Sequence, residues 1–116
     1  MSSCLFCRIV AGELPSSQRH ACDLLIAIDD IAPQAPLHVL LVPREHIPSA
    51  ADLRDSPAHA SILARMHHVA QEIAVAAGYG NRGWRLVTNV GSDGGQAIEH
   101  LHYHLLAGRQ LSWPPG

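Results

Sequence analysis

Apolar positions along the chain fall into six stretches separated by proline, glycine and charged residues, and the spacing within each predicts its form. From Pro57 to Ala77, Ile62, Met66, Val69 and Ile73 recur at helical spacing as one stripe, while Arg65, His68 and Glu72 lie off it. Ser56 suits the N-cap of this helix, Pro57 its first turn and Gly78 its stop. Residues Cys4 to Ala11, halted by Gly12 and Pro15, predict a short helix with Leu5, Phe6 and Ile9 facing inward. The runs Asp23 to Asp29 and Leu37 to Val42 read as buried strands. Between them, Ala32-Pro-Gln-Ala-Pro36 is too rich in proline to extend either. Trp84 to Val90 and Glu99 to Leu106 alternate as two further strands around a glycine-rich turn, Gly91 to Gly95. This order implies an α+β fold with a mainly antiparallel sheet, one long helix and a short N-terminal helix. A chain of 116 residues suits a single domain, 1–116.

With 47% hydrophobic and 16% charged residues, the composition excludes a disordered chain. No apolar run approaches the roughly 18 residues of a membrane span, and the first residues lack the basic start and apolar stretch of a secretion signal, so a soluble, cytoplasmic protein with no membrane partner is expected. A net charge of −2 without basic clusters argues against nucleic acid as a partner. Nine histidines and three cysteines are the departures from ordinary usage. An odd cysteine count speaks against a disulfide framework and for thiol or metal chemistry.

His100-Leu-His-Tyr-His104 concentrates that chemistry. On a strand the three imidazoles share one face over about 13 Å, opposite Leu101, Tyr103 and Leu105. Such a row also fits a solvated face or a surface metal chelate. Its neighbours favour catalysis: Gly94-Gly-Gln96 offers main-chain N–H groups to a phosphate, and Asn89 adds a donor. Imidazoles beside an oxyanion cradle suggest phosphoryl or nucleotidyl transfer.

The pattern His100-Leu-His-Tyr-His104-Leu-Leu106 resembles the signature of the histidine triad (HIT) superfamily of nucleotide hydrolases and transferases. The resemblance extends to its Hint branch of nucleoside phosphoramidate hydrolases through Asp30-Ile-Ala-Pro-Gln-Ala-Pro36, His38, Pro43, Asn89, Gly91-Ser-Asp-Gly-Gly-Gln96, Gly108-Arg-Gln110 and Trp113-Pro-Pro-Gly116. It implies a HIT-like fold and cleavage of purine nucleoside 5′-phosphoramidates to a nucleoside monophosphate and an amine, through a nucleotidyl-histidine intermediate. Hydrolysis of dinucleoside polyphosphates, or a zinc-stabilised nucleotide-binding regulatory dimer with incidental turnover, stand as alternatives.

By that resemblance His102 is the nucleophile, its second ring nitrogen held by the main-chain carbonyl of His100. His104 lies near the phosphate and leaving group, and His38 supports the triad from the neighbouring strand. Asn89, Gly95, Gln96 and Ala97 bind phosphate. Leu5, Phe6, Ile9, Ile28, Asp29, Asp30 and Ile31 surround the nucleoside, with Asp30 on the ribose. Each apolar member of that group also fits plain core. Trp113, in a tail that reaches the partner's site in relatives, implies a homodimer. Ala97 stands where many relatives carry Ser or Thr, removing one hydroxyl contact, and Glu99 stands where an aromatic residue is usual. The resemblance also implies structural zinc on Cys4, Cys7, His46 and His100, a donor set suited to a closed tetrahedral site. Cys22 is expected to be simply packed, and His20, His59, His67 and His68 to be solvated or on the helix surface.

Overall fold

The apolar stripe of the longest segment becomes helix α2, Pro57–Ala76, in the computed structural model, which describes residues 3–116. Ser56 caps it by accepting the main-chain N–H of His59. Ile62, Met66, Val69, Ala70 and Ile73 pack on one face of a five-stranded antiparallel sheet. The strands are β1 (Gln18–Ala21), β2 (Leu25–Asp29), β3 (Leu37–Pro43), β4 (Arg85–Val87) and β5 (Tyr103–Ala107), side by side in the order β1-β2-β3-β5-β4. Helix α1, Leu5–Val10, completes the elements, with a 3-10 turn at Ala50–Asp52. No helix of the described residues is long and apolar enough to cross a membrane.

β2 and β3 read as apolar runs, broken within β3 only by His38, because both faces are covered. Leu25, Ala27, Val39, Leu41 and Leu105 meet α2, while Ile26, Ile28 and Val42 meet Phe6 of α1 on the other side. Fully burying side chains of this size contributes about 1.5–3 kcal/mol each. The register β3–β5 sets Leu40 opposite His104 and His38 opposite Leu106, so His38 and His104 are diagonal neighbours on the face away from α2.

Several local expectations give way to the structure. β5 begins at Tyr103 rather than Glu99, so His100 and His102 sit in the segment that leads into the strand. The chain bends at residues 98–100, where the His100 N–H donates to the Ile98 carbonyl, and the Leu101 N–H then donates to the Ile47 carbonyl, outside the sheet ladder. The alternation nevertheless survives, with Leu101 and Leu105 in the α2-facing core and the histidines opposite. β4 ends at Val87, and beyond it the Thr88 hydroxyl donates to the His102 carbonyl. β1 has no counterpart in the apolar pattern: Gln18-Arg-His-Ala21 is a mostly exposed edge strand held by pairing to β2. His59 is buried, not on the helix surface. Its Nδ1 accepts the Arg54 N–H, and its Nε2 lies 3.2 Å from Glu45 Oε2. Cys22 does more than fill space. Burial raises its thiol pKa, but hydrogen bonds from the Leu24 and Leu25 main chain, His20 and Arg65 outweigh that and bring it to about 7.

Candidate active site and metal centre

Besides His59, three imidazoles have their protons placed by main-chain groups. A carbonyl oxygen only accepts and an amide N–H only donates, so each such contact fixes which ring nitrogen carries hydrogen. His102 Nδ1 is 2.7 Å from the His100 carbonyl, so Nδ1–H donates and the Nε2 lone pair of the neutral ring is left free. His100 Nε2 is 2.8 Å from the Pro43 carbonyl, so Nε2–H donates and Nδ1 is left as a ligand. His38 is the reverse case. Its Nδ1 accepts the Gln34 N–H at 3.0 Å, which puts the proton of the neutral ring on Nε2. That Nε2–H donates to His104 Nδ1 at 2.8 Å, so the remaining proton of His104 sits on Nε2.

Burial lowers the proton affinity of His38, with the nearby Asp30 carboxylate opposing the shift. Burial, then His102 and His38, likewise lower that of His104, again against Asp30. Near pH 7 these rings are therefore neutral, and His104 presents a hydrogen-bond donor rather than a cation.

His102 and His104, with ring centres 5.2 Å apart, line a cavity of about 330 Å³ between α1, the end of β2 and the Asn89–Ile98 segment. Phe6, Ile9, Ile28, Leu40 and Ile98 form its apolar walls, with Leu5 and the fully exposed Ile31 at its edge. Phe6 also sets its ring edge-on to His102 at 4.9 Å, so it orients the imidazole as well as walling the cavity. Asn89, Gly95 and Ala97 line the side nearest the glycine turn. Asp29 and Asp30 stand at the polar edge. Hydrogen bonds from Arg19 and then Ser17 hold the Asp29 carboxyl below its ordinary range. Asp30 accepts the Ala32 N–H through Oδ1 and keeps Oδ2 3.3 Å from His38 Nε2, which leaves lone pairs on both oxygens for a ligand hydroxyl.

Two expected site residues are placed elsewhere. The Gln96 side chain bonds the Gly91 N–H and the Pro48 and Ile98 carbonyls, bracing the turn from behind. Trp113 is 82% exposed, away from the cavity of its own chain. A larger hollow of about 600 Å³ is bounded by Glu45, His46, Asp52, Arg54 and His59, and there both His59 ring nitrogens are engaged, by the Arg54 N–H and by Glu45.

Cys4, Cys7, His46 and His100 bring their donor atoms within 4.8 Å of one another. Cys4 Sγ and Cys7 Sγ lie 3.3 and 3.5 Å from His100 Nδ1, Cys7 Sγ lies 3.3 Å from His46 Nδ1, and the two Nδ1 atoms are 3.1 Å apart. Bonds of about 2.0–2.3 Å around tetrahedral zinc put neighbouring S and N donors roughly 3.3–3.6 Å apart, so these residues fit that ion. The Pro43 carbonyl supplies the outer contact that metal-bound imidazoles ordinarily have. Asp30, His38 and His104 are as tightly clustered, but they do not fit a metal. Coordination through His38 Nε2 would move its proton to Nδ1, directly against the Gln34 N–H.

Comparison with known proteins agrees with this geometry. A family model described as "Scavenger mRNA decapping enzyme C-term binding" matches residues 3–112. The purine nucleoside phosphoramidase of Escherichia coli K12 is 42% identical over 107 residues, covering 92% of this chain and 88% of that protein. A 14 kDa zinc-binding protein of Brassica juncea is 37% identical over 112 residues, covering 97% and 98%. The crystal structure of a HIT family hydrolase from Legionella pneumophila Philadelphia 1 superposes with a TM-score of 0.94 at 44% identity, covering 98% of this chain and all of that one. Matched over nearly its whole length, in sequence and in fold, the chain belongs to the histidine triad superfamily.

Proposed function

We propose that the protein hydrolyses purine nucleoside 5′-phosphoramidates to a nucleoside monophosphate and an amine. The observation that carries this reading is the His102 ring, whose Nδ1–H is bound by the His100 carbonyl and whose Nε2 is left unprotonated beside the cavity. Nε2 attacks the α-phosphorus. The Nε2–P bond forms as the P–N bond breaks, and the amine leaves with one proton taken up from solvent. Water then attacks phosphorus, the Nε2–P bond breaks, and one proton is released. As Nε2 bonds to phosphorus the ring gains positive charge, so its Nδ1–H bond to the carbonyl becomes charge-assisted and strengthens only as reaction proceeds. His104 Nε2–H offers a donor to the phosphoryl oxygens or the departing nitrogen, and the Ala97 main-chain N–H, with Asn89, holds the phosphate. Contrary to the sequence expectation, the Gly95 and Gln96 N–H groups are spent on the Ser92 and Gly91 carbonyls within the turn. The apolar walls take the base and Asp30 the ribose. Two thiolates would neutralise a zinc ion on Cys4, Cys7, His46 and His100, leaving a closed and structural site. In a homodimer, the exposed Trp113 would reach the partner's cavity; the tail is anchored by Arg85, which donates to the Ser112 carbonyl.

The test is incubation of the purified protein with adenosine 5′-phosphoramidate, followed by intact-mass measurement of a rapidly quenched sample at neutral pH. Release of AMP together with a transient mass increase of one adenylyl group is expected. Nucleotide binding without AMP release would overturn the reading. Restoring the hydroxyl with Ala97→Ser is expected to raise kcat/KM by about 2- to 10-fold, the worth of one neutral hydrogen bond. An unchanged kcat/KM in steady-state assays would show that this position does not contact phosphate.

A further inference from the structure

Arg109 lies outside the cavity, yet hydrogen bonds connect it to the catalytic rings. Its Nε–H donates to the Gln34 carbonyl at 2.8 Å, and Nη1–H donates to the Gln110 carbonyl. Gln34 in turn donates its main-chain N–H to His38 Nδ1, and its side chain donates to the Ala32 carbonyl. The close approach needs Gly108, which has φ +97°, and where a Cβ would stand 2.8 Å from Pro36 Cβ. The guanidinium thus clasps, across Pro36, the residue that decides which His38 nitrogen carries a proton.

We infer that Arg109 is a positioning residue: by fixing Gln34 it locks His38 as the Nε2–H tautomer and so keeps His104 aimed as a neutral Nε2–H donor. The inference rests on the hydrolase reading above. If Gln34 is released, His38 can take its proton on Nδ1 or become an imidazolium, and the donor of His104 is no longer specified. The titratable groups facing His38 are Asp30, 3.3 Å away, and His104, 2.8 Å away. Asp30 favours the imidazolium, so the Gln34 N–H and burial are what oppose it.

In Arg109→Ala, kcat for adenosine 5′-phosphoramidate is expected to fall about tenfold at pH 7 with KM within about twofold. The acid limb of kcat should move upward by about one pH unit. Arg109→Lys, which keeps a donor able to reach a carbonyl, should recover part of both effects. Arg82→Ala, a nearby arginine with no bond to Gln34, should behave like the native protein. Imidazole 15N spectra of the free protein provide a reading independent of turnover. Native His38 should show an unprotonated Nδ1 across pH 6–8, and Arg109→Ala a partly protonated one. A native pH profile and native His38 signals in Arg109→Ala, even with a lowered thermal midpoint, would overturn the inference and leave Arg109 a merely structural contact. Absence of turnover in the native protein would instead count against the hydrolase reading, while the 15N comparison still decides the role of Arg109.

Discussion

His102→Ala is expected to lower turnover of adenosine 5′-phosphoramidate by on the order of 10⁴-fold or more, with AMP affinity changed only a few-fold. The size follows from what is removed. Without Nε2 there is no group to take the phosphoryl centre, and direct attack by water must replace two easier displacements with one hard one. Binding should be spared because the proposed contacts lie elsewhere, on the apolar walls from Phe6, Ile9 and Ile28 and on Asn89 and Ala97. The covalent adduct should vanish from quenched samples together with turnover. His104→Ala gives a useful contrast, since it removes a hydrogen-bond donor but leaves the nucleophile. It should cost less, about 10²- to 10³-fold, and still form the adduct. A His102→Ala protein that retained a tenth of native activity, measured on material free of contaminating hydrolase, would rule out His102 as the nucleophile.

Elements whose burial is one-sided or complete were the legible ones. α2 announces itself through the Ile62, Met66, Val69 and Ile73 stripe and through Ser56 and Pro57 at its start. β2 and β3 do so through apolar runs, broken within β3 by His38 alone. β1 was illegible for the opposite reason: an edge strand of Gln18, Arg19, His20 and Ala21 pairs through its main chain and buries little, leaving no periodicity to detect. The late start of β5 was hidden because the histidines and leucines keep their alternation from the bend at residues 98–100 into the strand, although only Tyr103 onward is paired into the sheet. Tertiary partners also decide the histidines. His59 looks like its helix-borne neighbours His67 and His68 until the loop before α2 folds back and Arg54 donates to its ring. The division of labour among His38, His100, His102 and His104 is likewise set by main-chain groups of Gln34, Pro43 and His100, and no side-chain pattern records where those carbonyls and amides point.

Stripping zinc with a strong chelator, or substituting Cys4→Ser or Cys7→Ser, is expected to lower the thermal midpoint by at least about 10 °C. The reason lies in how little else holds the N-terminal segment. α1 has six residues, far fewer than an isolated helix needs, and only Phe6 among them is fully buried. Cys4 caps the helix and Cys7 lies within it, so a metal joining them to His46 and His100 ties α1 to both the end of β3 and the approach to β5. The principal core between α2 and the sheet does not include α1, so metal loss should loosen one end of the molecule rather than unfold it outright. Hydrogen exchange should show this directly, with amides of α1 exchanging faster while those of α2 stay protected. Activity should fall with it, because Phe6 packs edge-on against both His100 and His102 and leaves with α1. Elemental analysis of protein prepared without chelators should give about one zinc per chain. Less than a tenth of that, with a thermal midpoint indifferent to chelator, would refute the structural zinc and leave the two thiols to be explained by packing alone.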